Sequence, residues 1–406
     1  MTRKATIAIA MGWTLAVTCL RSARLPNNFS TEHWLIDYRF GFVKRGLIGS
    51  LVALGTGLAR TRPSEGLIDT LSIVAFAVFC AAILWTGLRT IRRAQWSIEV
   101  VLAVMVFLSS PFIVMSAHLI GYYDNIIIVL TLVSLALVFN GRTWAGAVVQ
   151  SVAILVHENA LLVGVPVFCW AGRLTMRQAA PKERRPLALL LPLAVFLLLT
   201  VRLSTEPHRL ERLLTEHLST FPFVAGTIAD VRVPHWITIS FPDSYRLHQG
   251  HFQERMLAQS LIGLMLPSLL ALLGVVLETQ ALAAVSFESA AIVAICLVPQ
   301  SMHLVAWDTS RIWTYSILCA FLVLWVDVEL RPARKTLSQF VVFVSLVALF
   351  VNAIATTPLM DGLTDRLNVT TRLLLYAPVI VVGMVLGGWD RTERRAKPSP
   401  ERVTLG

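Results

Sequence analysis

The chain has 406 residues, 56% of them hydrophobic and only 15% charged, with a formal net charge of +11. Soluble domains carry about 25% charged residues, so a chain this apolar cannot cover itself with polar surface, which excludes a soluble enzyme and a disordered protein. Long apolar runs in place of short alternating segments exclude a β-barrel and leave an all-α, polytopic membrane helix bundle.

Apolar runs occupy 5–20, 67–88, 98–117, 125–139, 143–156, 160–172, 187–203, 256–277, 281–302, 312–328, 337–356 and 371–389. Since a span needs about 20 apolar residues, this pattern predicts roughly twelve transmembrane helices, with a range of about ten to thirteen because 125–139 and 143–156 are short. The first run follows Arg3 and Lys4 and has no A-x-A site before Arg21, so it reads as a retained helix and not a cleaved signal. Cys19, Cys80, Cys169, Cys296 and Cys319 lie in apolar stretches without CxxC spacing, as small buried hydrophobes do.

The basic residues form short clusters between the runs, not one patch, which argues against nucleic acid. With the N-terminus cytoplasmic, one side receives Arg89, Arg92 and Arg93, then Arg142, then Arg173, Arg177, Lys182, Arg184 and Arg185. Arg331, Arg334, Lys335, Arg391, Arg394, Arg395 and Lys397 fall there too, so the positive-inside rule puts both termini in the cytoplasm. The membrane domain extends over 1–390, and 391–406 is a basic cytoplasmic tail, ending in KPSPERVTLG, that is expected to be disordered. Two long outer segments remain. In 21–66 the stretch FGFVKRGLIGSLVALG suits an interfacial helix carrying Lys44 and Arg45 at headgroup level. Residues 204–255 hold five of the nine histidines and read as a folded loop; they lack HExxH spacing, which argues against zinc.

Ionisable groups at span ends are costly in lipid and mark functional candidates. Under this topology they gather on the outer face: Asp37 and Arg39 in EHWLIDYRFGFVKRG, His118 and Asp124 in AHLIGYYDN, His157 and Glu158 in LVHEN, and His303, Asp308 and Arg311 in HLVAWDTSRIW. Each also has a structural reading. Asp37 fits a solvated loop, Asp124 a helix cap, His157–Glu158 a hydrogen-bonded pair, and Asp308–Arg311 an i, i+3 salt bridge. Carboxylates in this layer can accept a proton from a hydroxyl or hold a divalent metal against a diphosphate. Arg39, Lys44, Arg45 and Arg311 can clamp a lipid phosphate at headgroup depth. Neither GxxxxGK[ST] nor GxGxxG occurs, which argues against direct use of a nucleotide.

With Asp37 ahead of FGFVKRGLIG in the first outer loop and Asp124 in the next, the layout resembles the membrane-embedded GT-C superfamily of glycosyltransferases. The resemblance is architectural and covers about the first third of the chain. It implies an outward-facing site that moves a sugar from a polyprenyl-phosphate donor to an envelope glycan or glycolipid. Asp37 would be the general base, and Asp124 would position the acceptor or share a metal. Arg39, Arg45 and Arg311 would bind the donor phosphate, and His157–Glu158 would shape the sugar pocket or relay a proton. The Asp37 neighbourhood reads IDYRF, without the paired D-x-D or E-x-D of several branches. That departure leaves Mg2+ or Mn2+ on Asp37 and Asp124 as an open element. Two further readings stand. An O-antigen-type polymerase would use the arginines of the second loop (Arg209, Arg212, Arg232, Arg246, Arg255), and a transporter or flippase would do no covalent chemistry. Short loops and a C-terminus without a retrieval signal point to a bacterial inner membrane.

Overall fold

The computed structural model describes residues 2–180, 185–202, 207–279, 286–331 and 338–396. Among these residues the chain is helical, with one isolated bridge between Pro358 and Thr364. The main helices are α1 (Arg3–Leu20), α2 (Gly46–Leu58), α3 (Glu65–Arg93), α4 (Ile98–Ser109), α5 (Pro111–His118), α6 (Asp124–Phe139) and α7 (Thr143–Val156). They continue as α8 (Val165–Gln178), α9 (Leu191–Arg202), α10 (Gln259–Thr279), α11 (Phe287–Leu297), α12 (Thr309–Leu330), α13 (Gln339–Ile354) and α14 (Val369–Ala396). Six stretches are long and apolar enough to cross a membrane: Glu65–Arg93, Ile98–His118, Ala160–Gln178, Leu261–Glu278, Phe287–Leu304 and Thr309–Leu330. Shorter apolar helices accompany them, including α6, α7 and α13, so the chain is an integral membrane protein.

Two rods form the axis. Every residue from Ile98 to His118 is buried, as is α12 from Arg311 to Val328. These segments are apolar around their whole circumference, so they find partners on all sides while the other helices surround them. Phe107 and Phe321 stack across the axis with ring centroids 3.8 Å apart.

The first rod is broken at Ser110, whose extended backbone (ψ 160°) starts α5 with Pro111 at its first position. The freed carbonyls are taken up locally and from afar. Ser110 Oγ donates to Phe107 O at 2.7 Å, and Asn352 Nδ2 of α13 donates to Val106 O at 3.2 Å. Asn352 Oδ1 in turn accepts from Ser268 Oγ of α10 at 3.1 Å, so one amide ties three helices together inside the bundle.

A second tie closes one end. The Arg21 and Arg372 guanidiniums share the Asp365 carboxylate, each at 2.6 Å, and all three side chains are buried. The same arginines donate to Asn352 O, Ala355 O and Ile354 O, the open carbonyls at the C-terminus of α13, where cations are favoured. The Arg366 N–H bonded to Arg21 O and Tyr376 against Thr18 set α14 antiparallel beside α1.

The outer segments depart from the sequence reading in one respect. Lys44 and Arg45 are not on the face of an amphipathic helix. They sit in the turn before α2, which itself carries no charge, and Lys44 is buried. The reason is packing: α2 lies so close to the preceding segment that a Cβ at Gly49 would fall 1.9 Å from Ile36 O. Short helices from Pro207–Ser219 to Phe252–Met256 cover this end of the bundle, with His217 Nε2 donating to Leu35 O at 3.0 Å and Ser244 Oγ to Val305 O at 2.6 Å. At the other terminus α14 continues to Ala396, so 391–396 is helical where a disordered tail is expected. Residues 397–406, together with Lys182, Arg184, Arg334 and Lys335, lie outside the described residues.

Replacing Asp365 by Asn strands two buried guanidiniums without a counter-charge. The expected loss is about 3–5 kcal/mol, read as a lower thermal midpoint of the detergent-solubilised protein. An unchanged midpoint would show that the helix C-terminal carbonyls alone satisfy both arginines.

Candidate functional site

The sequence-distant segments converge on the covered end of the bundle. Arg45 is the centre of the convergence. Its backbone is left-handed (φ 61°, ψ 12°), a conformation costing about 1–3 kcal/mol at a non-glycine residue and kept where the surroundings enforce it. The enforcement is visible. Arg45 Nε donates to both Glu158 oxygens at 3.1 Å and Nη2 to Oε1 at 2.5 Å, while Nη1 reaches His33 Nε2 at 2.8 Å. His33 Nδ1 lies 2.6 Å from Phe29 O and therefore carries the proton, leaving Nε2 to accept from Arg45. Burial and the nearby Arg45 push the His33 imidazole down to about 3, so it stays neutral. Burial alone would raise the Glu158 carboxyl, but Arg45 and then His157 hold it well below the usual carboxylate range. His157 is buried, accepts the Asn159 N–H at 3.1 Å, and is pushed well below its ordinary value by burial and by Arg45.

A second ion cluster stands beside the first. Arg311, in the first turn of α12, pairs with Asp308 at 2.7 Å, the i, i+3 bridge its spacing suggests, and lies 3.6 Å from Asp124 Oδ2. Asp124 opens α6 and is buried; its other oxygen accepts from the Tyr315 hydroxyl. Lys44 Nζ donates to Ile239 O at 2.8 Å and to Trp236 O at 3.4 Å, and lies 5.5 Å from the Phe241 ring. Burial pushes Lys44 down to about 8, against support from Glu158.

Lys44, Arg45, Glu158, Asp308 and Arg311 line one cavity of about 850 Å³. Leu161, Leu162, Phe196 and Phe241 form an apolar part of its wall, and His248 and Trp307 complete the polar side. Asp230 also lines it, so the charges of the wall nearly balance. Each guanidinium nevertheless has five N–H groups, more than its carboxylates take, so an incoming anion finds donors.

Asp37 and Arg39 lie elsewhere. They line a separate cavity of about 410 Å³ with Trp34, Thr56, Arg62, His217 and Thr220. Asp37 is buried and caps the Arg39 N–H, while the Arg39 guanidinium grips both carboxylate oxygens at 2.6–2.9 Å. The Arg39 side chain is 63% exposed and can swing into solvent. Segment 37–45 thus supplies one cavity from its start and the other from its end. His118 and His303 are buried, His303 Nδ1 against Gln300 O at 3.0 Å, and neither lines a cavity described here. Asp124 and His157 line neither cavity, whereas Asp37 lines the smaller one. Among the described residues no three His, Cys, Asp or Glu side chains are placed together to hold a metal ion.

His33, Tyr315, His248 and Trp307 escaped the sequence reading. Tyr315 carried a signal, since it follows Arg311 by one helical turn and both reach Asp124. The others depend on contacts across the fold. Compared with protein-family models, curated proteins and solved structures, the chain matches none.

The Lys44 shift makes a stability prediction. Its ordinary value is 10.5 and its folded value about 8, so between these pH values the unfolded chain binds more protons and folding stability rises with pH. Below about pH 8 the folded protein bears the full cost of burying the charge. Lys44→Met removes that cost, so its thermal midpoint should exceed the wild type's at pH 7, with the gap closing towards pH 10.5. A pH-independent gap would mean that Lys44 titrates normally.

Proposed function

We propose that the protein is a glycosyltransferase that moves a sugar from a polyprenyl-phosphate donor to a glycan or glycolipid acceptor on the extracytoplasmic face of a bacterial inner membrane. The observation that carries this reading is the larger cavity, in which Lys44, Arg45 and Arg311 adjoin Leu161, Leu162, Phe196 and Phe241. Such a lining suits an amphiphile with an anionic head and an isoprenoid tail. The opposite end of the bundle carries Arg89, Arg93, Arg173, Arg177 and Arg331, as cytoplasmic loops do, which supports cytoplasmic termini.

In this mechanism Arg45 and Arg311 hold the donor phosphate through N–H groups beyond those given to Glu158, Asp308 and Asp124. His33 fixes the Arg45 guanidinium in place. The acceptor lies on the side of the smaller cavity, and the reading requires the two cavities to open onto each other, so that Arg39 swings away and Asp37 takes the proton of a hydroxyl attacking the donor sugar. The hydroxyl oxygen bonds to the anomeric carbon as the bond from that carbon to the phosphate oxygen breaks. Polyprenyl phosphate leaves with the electron pair.

General-base loss typically costs about 10²–10⁴ in rate, so Asp37→Asn should insert normally yet lose at least about a hundredfold in transfer. The measurement is mass spectrometry of lipid-linked sugars and glycans in deletion cells complemented with wild type or Asp37→Asn. A polyprenyl-monophosphate sugar accumulating with Asp37→Asn, and one residue missing from a glycan, is the expected result. Accumulation of a diphosphate-linked repeat unit would replace the transferase by a polymerase, and an unchanged profile would favour transport.

A further inference from the structure

At the end of the bundle away from the cavities, three guanidiniums from two helices converge on one carboxylate. Glu288, in the first turn of α11, receives Arg177 and, at 4.0 Å, Arg173 from α8, and at 3.0 Å Arg331 from the end of α12. One carboxylate cannot neutralise three cations, and the nearby Asp327 is directed to the Trp170 indole N–H at 3.1 Å, with Arg331 Nε at 4.0 Å. Among the described residues the cluster keeps an excess of positive charge.

Its surroundings set its depth. The Arg173 guanidinium lies 5.3 Å from the Trp170 ring and 5.0 Å from the Phe287 ring. Phe287 is 74% exposed and begins an apolar face of α11 that continues to the exposed Leu297. In a membrane protein an exposed phenylalanine beside a helix start faces acyl chains, so the arginines stand at the level of lipid phosphates. Arg177 and Arg173 remain 53% and 31% exposed, open to a ligand from outside.

We infer that the pocket formed by Arg173, Arg177 and Arg331 around Glu288 binds the headgroup of an anionic phospholipid, whose acyl chains lie along the α11 face from Phe287 to Leu297. The chemistry fits on each count: surplus guanidinium donors match a phosphodiester, and the adjoining exposed apolar strip matches the tails. A free phosphate would use the first feature and leave the second without a role. The site is independent of the glycosyltransferase reading and would survive its failure.

The test is native mass spectrometry of the full-length protein released from nanodiscs of phosphatidylglycerol and phosphatidylcholine. Wild type should retain phosphatidylglycerol in preference. R173Q/R177Q should retain it roughly thirtyfold less, given about 1 kcal/mol per basic residue near a charged lipid, while R173K/R177K should keep most of the preference. E288Q should retain more than wild type, because the arginines lose their internal competitor. A purely structural ion-pair network makes the opposite statement for E288Q, which decides the question if R173Q/R177Q fails to assemble. Equal retention of the two lipids, or phosphatidylglycerol binding unaltered by R173Q/R177Q and not raised by E288Q, would overturn the site. Displacement of the lipid by millimolar inorganic phosphate would assign the pocket to a free anion instead.

Discussion

A buried guanidinium has to find an anion, and at the covered end of this bundle that requirement organises everything else. Arg311 enters one of the two enclosed rods already committed to Asp308 and Asp124, which locks the start of α12 to the start of α6. Arg45 fixes the first connecting segment to the turn before α8 through Glu158, and Arg21 with Arg372 closes α1, α13 and α14 around Asp365. Removing water from such pairs costs several kcal/mol per ion, recovered only when geometry and additional hydrogen bonds are good. The positions of the loops follow from that condition. They bring backbone carbonyls and neutral side chains, such as His33, to donors that would otherwise lack acceptors.

The same condition makes a reactive surface. Ions that must be paired inside the protein can exchange partners with a charged ligand at little additional cost, provided that the ligand brings its own anion. On the proposed function, segment 37–45 is suited to this exchange because its ends serve different cavities, while α2 packs closely on the backbone of Ile36 just ahead of it. On that reading the two cavities serve two dissimilar substrates, one largely in lipid and one in water.

Much of the architecture was legible in the sequence. The apolar runs coincide with helices within a few residues, because lipid leaves helix as the one open-chain solution and the 98–117 and 312–328 runs need little tertiary context. The Asp308–Arg311 bridge was legible for a related reason, as residues three apart on a helix are neighbours. What could not be read was pairing across the fold. Asp37 and Asp124 look equivalent as outer-loop acids, yet one is held by a neighbour two residues away and the other by a helix nearly two hundred residues on. Lys44 looks like a headgroup cation, and it is buried only because carbonyls at 236 and 239 fold over it. His33 carries no sequence signal, since its role rests on the proton it gives to Phe29 O.

The break at Ser110 has a consequence for how the protein is made. Chains are synthesised from the N-terminus, so the first axial rod is made with only Ser109 Oγ on the Val106 carbonyl, at 3.1 Å, and the amide of Asn352 joins it only near the end. Until α13 arrives, the break is satisfied by its own serines and tied to no other helix through that amide. The protein's hub is thus also its last joint to close.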